Sequence, residues 1–199
     1  MKTLVLHTPK GGSAKSTLAR EMAVAATLQG MMTALADLDP QGTTTGWYKR
    51  RESTAPVLVK LGPSMTDKAL ASAGVGLLVV DTPPGDPPFI AKLLAQADVV
   101  LVPVRPTPDD LLAAAPIAQS LAKHSRWAFV LTQVPPRTRL LASATRQLAA
   151  LGRVAPVQIT FRADYPAAAI DGRAAVELPG KAGQEATALY AYVQTLLEE

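Results

Sequence analysis

The run His7-Thr8-Pro9-Lys10-Gly11-Gly12-Ser13-Ala14-Lys15-Ser16-Thr17 lies between two patterns of different period. Before it stands a short apolar run, Thr3-Leu4-Val5-Leu6, with the character of a buried strand. After it, Leu18-Ala19-Arg20-Glu21-Met22-Ala23-Val24-Ala25 reads as a helix. A strand, a glycine-bearing loop and a helix in that order build a phosphate-binding loop. Backbone N–H groups turn inward and the positive end of the helix dipole meets the anion. In such a loop Lys15 lies along the β- and γ-phosphates of a nucleotide, and the Ser16 hydroxyl ligates Mg²⁺. Against the usual pattern G-x-x-x-x-G-K-[ST], Pro9 replaces the first glycine and Ala14 the second. Alanine costs little at position 14 if the backbone is near helical φ. At positive φ it is strained, and nucleotide affinity drops.

Two further motifs follow. Met31-Met32-Thr33-Ala34-Leu35-Ala36 reads as a buried strand that runs into Asp37-Leu38-Asp39-Pro40-Gln41-Gly42. Gly76-Leu77-Leu78-Val79-Val80-Asp81 reads as another, followed by Thr82-Pro83-Pro84-Gly85. Ligands of open parallel sheets bind beyond the C-terminal ends of the strands, which is where both acidic ends fall. Two carboxylates one residue apart on a strand point to opposite faces, so Asp37 and Asp39 cannot share a role. Asp81 ends an apolar strand as a Walker B aspartate does, holding Mg²⁺ through a water.

The set Lys10-Gly11-Gly12-x-x-Lys15-Ser16-Thr17 resembles the deviant Walker A loop of the ParA/MinD family of partitioning and positioning ATPases, K-G-G-x-G-K-[ST]-[ST]. The D-x-D-P-Q and D-T-P-P stretches resemble that family's second and third signatures. Arg137-Thr138-Arg139-Leu140 resembles its R-T-x-L, so the likeness spans nearly the whole chain, with its specificity in the three nucleotide motifs. The resemblance implies an α/β P-loop NTPase domain over residues 1–199, with a mostly parallel twisted sheet and helices on both faces. It implies nucleotide contacts from Lys10, Gly11, Gly12, Ser13, Ala14, Lys15, Ser16 and Thr17, with Gln133 bordering the base. It implies Lys10, Lys15 and Asp39 as catalytic groups, Lys10 acting across a dimer interface and Asp39 on the attacking water. Ser16, Asp37 and Asp81 are the implied Mg²⁺ set. The implied activity is slow, partner-stimulated hydrolysis of ATP. The implied partners are a second copy of the chain, non-specific DNA and a ParB-like or other activating adaptor. The expected location is cytoplasmic, on the nucleoid when ATP is bound, with no membrane.

DNA contacts are expected from Arg137, Arg139, Arg146, Arg162 and Arg173. Arg139, Arg146 and Arg153 recur every seven residues, so Arg139 and Arg146 share a helix face, which also suits plain solvation. Trp47-Tyr48-Lys49-Arg50-Arg51 suits either a nucleic-acid contact or a helix with one buried aromatic. Elsewhere helices are predicted over 89–97, 109–123, 137–151 and 183–197, with a helix-like piece over 67–73. Strands are predicted over 98–104, 127–132 and 154–159. Residues 43–75 are the least readable.

Composition sets the outer bounds. The chain has 199 residues, 48% of them hydrophobic, enough for a sizeable core. It has no cysteine, which excludes disulfides, thiolate metal sites, iron–sulfur clusters and cysteine nucleophiles. It has no asparagine, so the guanine-specifying N-K-x-D loop is absent and ATP is favoured over GTP. The net charge of +4 suits a polyanionic partner or ordinary solubility. No signal peptide or bilayer-spanning run is read. A MinD-like membrane ATPase needs a basic amphipathic C-terminal helix, whereas 190–199 is apolar and acidic. A dethiobiotin-synthetase-like ligase fits D-x-D-P-Q less well. A non-hydrolysing scaffold, with Ala14 marking a weakened site, is the third alternative.

Overall fold

A computed structural model describes residues 1–61, 68–124 and 126–199. Six strands, β1 (Lys2–Leu6), β2 (Thr33–Asp37), β3 (Val57–Val59), β4 (Leu77–Asp81), β5 (Val99–Val104) and β6 (Trp127–Leu131), form one sheet. Every pairing is parallel, in the order β3-β2-β4-β1-β5-β6. The helices among the described residues are α1 (Lys15–Leu28), α2 (Thr43–Lys49), α3 (Lys68–Ser72), α4 (Pro88–Gln96), α5 (Pro108–Leu112), α6 (Ala114–Ser120), α7 (Leu140–Ala149), α8 (Asp164–Ile170) and α9 (Lys181–Glu198). A 3₁₀ turn spans Ala175–Glu177.

Alternation along the strands divides the core. Leu4 and Leu6 face one side with α1 and α9, where Met22, Leu189 and Tyr190 are buried. Val5 faces the other, with Ile90 and Leu93 of α4, Ile117 of α6 and Leu148 of α7. A parallel sheet covered on both faces needs apolar residues at every strand position, which is why β4 and β5 read as unbroken runs. In register, Leu6 of β1 pairs with Asp81 of β4, and Asp81 with Asp37 of β2. The three motifs therefore emerge side by side at the C-terminal end of three adjacent strands, β2, β4 and β1. No helix among the described residues is long and apolar enough to cross a membrane.

The structure corrects several readings. Residues 154–159 are not a strand: only the bridges Phe129–Val154 and Val134–Thr160 form. Pro156 has no N–H to continue a ladder. The helix expected over 109–123 is two helices, because Pro116 has no N–H for the Leu112 carbonyl and the chain breaks at Ala113. β2 begins at Thr33, leaving Met31 and Met32 outside it, α7 begins at Leu140 rather than Arg137, whose φ of 58° is not helical, and α9 begins at Lys181. β3 is a three-residue strand with no periodic signal of its own. Of the helix-like piece over 67–73, Lys68–Ser72 is helical and Asp67 lies outside the described residues.

The basic–aromatic cluster resolves as a buried aromatic. Trp47 is fully buried, and its indole N–H donates to the Arg173 carbonyl at 2.9 Å. The Arg20 and Arg51 guanidinium groups lie 5.8 and 5.2 Å from its ring centroid. Arg51 also makes a two-bonded pair with Glu177, at 2.8 and 2.7 Å. Trp47 has no face left on which a base could stack.

Candidate functional site

The loop from β1 to α1 walls a cavity of about 360 Å³, lined by 11–17 together with Arg20, Asp39, Thr43, Pro84 and Gln133. Lys15 is buried in it. Its ammonium donates to the carbonyls of Thr8 at 3.0 Å and Lys10 at 2.9 Å. Burial lowers the Lys15 pKa, opposed by the carboxylates of Asp81 and Asp39. A cation held by two neutral carbonyls can exchange them for a phosphate without large movement.

Ala14 sits at φ 71°, ψ 24°, the left-handed region, immediately before α1. This is the strained case foreseen for alanine at this position. Replacing Ala14 by glycine is expected to raise stability by about 1 kcal/mol, read by chemical denaturation. An unchanged midpoint would show that the loop tolerates alanine without strain.

Asp81 is fully buried. Its Oδ2 accepts from the Thr44 hydroxyl at 2.7 Å, while Oδ1 has no hydrogen-bond partner among the described residues. Burial pushes its carboxyl up to about 6, against the pull of the Thr44 and Ser16 hydroxyls beside it. Asp37 is held differently. Its Oδ1 accepts from the Asp39 N–H at 3.1 Å and its Oδ2 from the Thr45 N–H at 2.7 Å, which ties the turn to the start of α2. Asp39 closes a local turn by accepting from the Gln41 N–H at 2.9 Å, and it faces the cavity. Gln133 donates to the Gly12 carbonyl at 2.7 Å, and the Thr132 hydroxyl to that of Ser13 at 3.0 Å. The end of β6 thus braces the loop.

Sequence reasoning missed several groups here. His7 is buried, with Nδ1 2.9 Å from the Thr82 hydroxyl and Nε2 3.2 Å from Asp86. Thr82 donates its one proton to the Leu6 carbonyl, so Nδ1–H must be the donor to Thr82. The bond to Asp86 then requires the imidazolium, which burial of His7 disfavours. Gly85 N–H also donates to the Pro9 carbonyl at 2.7 Å. The segment after β4 is therefore fastened to the foot of the loop. Lys10, in turn, is 3.0 Å from Asp110 of α5, which also binds Arg105. No spacing pattern could announce these long-range pairs.

The DNA candidates scatter. Arg137, at φ 58°, and Arg139 precede α7, while Arg146 lies on it; all three are exposed. Arg162 is bound to Glu185 at 2.8 Å, Arg173 to Asp171 at 3.2 Å and Arg153 to Glu199 at 2.9 Å. Arg153 lies beyond α7, so the seven-residue recurrence does not continue on that helix.

A family profile described as CobQ/CobB/MinD/ParA nucleotide binding domain matches residues 4–175. The chain belongs to this family. Among curated proteins, this CobQ/CobB/MinD/ParA-family chain is 29% identical over 198 residues to the maintenance of carboxysome distribution protein A of Halothiobacillus neapolitanus, covering 92% of this chain and 90% of that protein. Among solved structures it is similar to a Cyanothece McdA–ATP complex, with a TM-score of 0.74 at 18% identity over 100% of this chain and 96% of the other. It is similar also to the MinD cell division protein of Aquifex aeolicus, with a TM-score of 0.76 at 15% identity over 98% of both chains. These likenesses establish the P-loop NTPase fold of the family.

Proposed function

We propose that this family member is a ParA-type positioning ATPase whose ATP-bound form dimerises and whose hydrolysis of ATP releases the dimer. The single observation that carries this reading is Lys10, next in the chain to a nucleotide-sized loop cavity that it does not line, with its side chain 37% exposed and drawn to Asp110 instead of to the protomer's own phosphate site. The likeness to a carboxysome distribution protein favours a protein assembly as cargo over a plasmid.

The chemistry needs little covalent work from the protein. Water attacks the γ-phosphorus, the bond to the bridging oxygen breaks, and ADP leaves. Loop N–H groups of 11–17 and Lys15 hold the phosphates, and Asp39 orients the water. Lys10 of a second copy supplies further positive charge. The residues present fit a divalent cation, because the Asp81 carboxyl, beside the Ser16 hydroxyl and with Oδ1 unpartnered among the described residues, is a ready acceptor for a metal-bound water. A divalent cation bound by these residues would supply charge neutralisation for the reacting phosphates. Asp37 acts indirectly, through the turn it ties to α2. An adaptor that stimulates hydrolysis and a DNA surface at Arg137, Arg139 and Arg146 complete the proposal. The MinD-like alternative is disfavoured, since α9 buries Leu189, Tyr190, Val193 and Leu196 within the protein rather than presenting them to lipid.

Sedimentation with Mg-ATP, Mg-ADP or no nucleotide, with and without DNA at two salt concentrations, tests this reading. Dimers are expected with Mg-ATP alone, and DNA binding by them should fall steeply with salt. Lys10→Ala is expected to weaken the ATP dimer at least about tenfold, the loss of one desolvated charge contact. A monomer in every state would remove the switch. A Lys10→Ala variant that dimerises as well as the parent would remove the role of Lys10.

A further inference from the structure

Lys10 is not free in the single protomer. Its ammonium lies 3.0 Å from Asp110 Oδ1. The Asp110 side chain is only 3% exposed, and its backbone N–H turns back to the Thr107 carbonyl at 3.1 Å at the start of α5. The same carboxylate receives Arg105 through two bonds, Nε–H to Oδ2 at 2.6 Å and Nη2–H to Oδ1 at 3.1 Å. Arg105 also borders the loop, with Nη1 3.8 Å from where a Cβ on Gly12 would stand. Burial pushes the Asp110 carboxyl up, but Arg105 and then Lys10 outweigh it and hold it below the usual range.

One carboxylate thus serves two cations, and they serve it unequally. The planar guanidinium engages both oxygens with a fixed fork; the ammonium is a point charge on a flexible stem that shares one oxygen. If Lys10 leaves, both Asp110 oxygens keep a partner. If Arg105 were absent, departure of Lys10 would strand a buried charge, a strongly unfavourable state.

We propose that Asp110 and Arg105 are positioning residues for Lys10: Asp110 docks the lysine on its own protomer, and Arg105 keeps Asp110 paired when Lys10 moves to a partner's nucleotide. The consequence for dimerisation rests on the switch reading above; the docking itself does not. Asp110 therefore opposes dimerisation and Arg105 favours it, although neither lines the loop cavity.

Two experiments separate these layers. In the first, the nucleotide-free protein is reductively methylated and the rate at Lys10 is read by mass spectrometry against Lys92 and Lys123. Asp110→Asn is expected to speed labelling of Lys10 about threefold or more, and Arg105→Gln to slow it, as a half-exposed ion pair gains or loses its competitor. In the second, dimer dissociation constants are measured by sedimentation with Mg-ATP. Asp110→Asn is expected to tighten the dimer roughly three- to tenfold and Arg105→Gln to loosen it by a similar factor. The double variant should behave as Asp110→Asn, because Arg105 acts only through the carboxylate. Unchanged Lys10 labelling in both single variants overturns the docking. If Arg105→Gln loosens the dimer equally with Asp110 or Asn at position 110, Arg105 acts directly on the interface and its assigned role is overturned. Altered labelling in a protein that never dimerises upholds the docking and removes the switch reading instead. Should Asp110→Asn fail to fold, the slowed labelling of Arg105→Gln decides the docking alone.

Discussion

Replacing Lys15 by alanine is expected to lower the rate of ATP hydrolysis roughly 100- to 1,000-fold, the usual loss when a preorganised charge-stabilising donor is removed. The physical basis is the position of its ammonium, already inside the loop and held by the Thr8 and Lys10 carbonyls. Arg20, the other cation that lines the cavity, turns toward the Thr17 hydroxyl and the Trp47 ring, so it does not take over. Phosphate release under saturating Mg-ATP is the measurement, with Lys15→Met as a control that keeps the stem and loses the charge. Both variants should melt close to the parent. A variant that retained a third of the parent rate would show that Lys15 is not a catalytic cation.

Stability should fall as pH rises from 5 to 8, and Glu21 should account for much of the fall. Glu21, on α1, is buried, and its two oxygens accept from the Ala175 and Val176 N–H groups at 2.8 and 2.9 Å. Burial raises its pKa to about 7, against the pull of those two bonds. A folded-state value above the unfolded 4.5 means that the native state binds the proton more tightly. The resulting stabilisation is fully present below about pH 4.5 and is lost as pH rises to 7. Between pH 5 and 8 the loss amounts to roughly 2 to 3 kcal/mol. Asp81, raised to about 6, adds a slope of the same sign at lower pH. Glu21→Gln isolates the contribution of Glu21. It gives up one of the two backbone bonds and is less stable at pH 5, but its disadvantage should shrink by that amount by pH 8. Denaturant titrations of both proteins across this range test it, and parallel curves would assign the slope elsewhere.

The central strands were legible because each signal is contiguous. Val99–Val104 and Leu77–Asp81 are unbroken apolar runs, and only a sheet covered on both faces asks for that. The loop from Lys10 to Thr17 was legible for the same reason: its function depends on consecutive backbone N–H groups and the helix they open. Where prolines intervene, the pattern misled. Val154–Ile159 has strand composition, yet Pro156 removes a donor and only single bridges remain. The 109–123 stretch has helical spacing, yet Pro116 divides it. The aromatic at Trp47 left two readings open, and burial closed one of them.

The amino-acid order alone determined the family, the parallel α/β architecture and the loop 11–17 that walls one cavity, because these rest on short-range periodicity and on motifs a few residues long. Tertiary structure alone decided what those residues touch. It put Ala14 in a left-handed conformation, gave both oxygens of Asp37 to backbone N–H groups, and left one oxygen of Asp81 without a partner among the described residues. It also brought Asp110, from beyond β5, to Lys10. Such contacts depend on how strands order themselves in the sheet, and a carboxylate far along the chain carries no local mark of the cation it will meet.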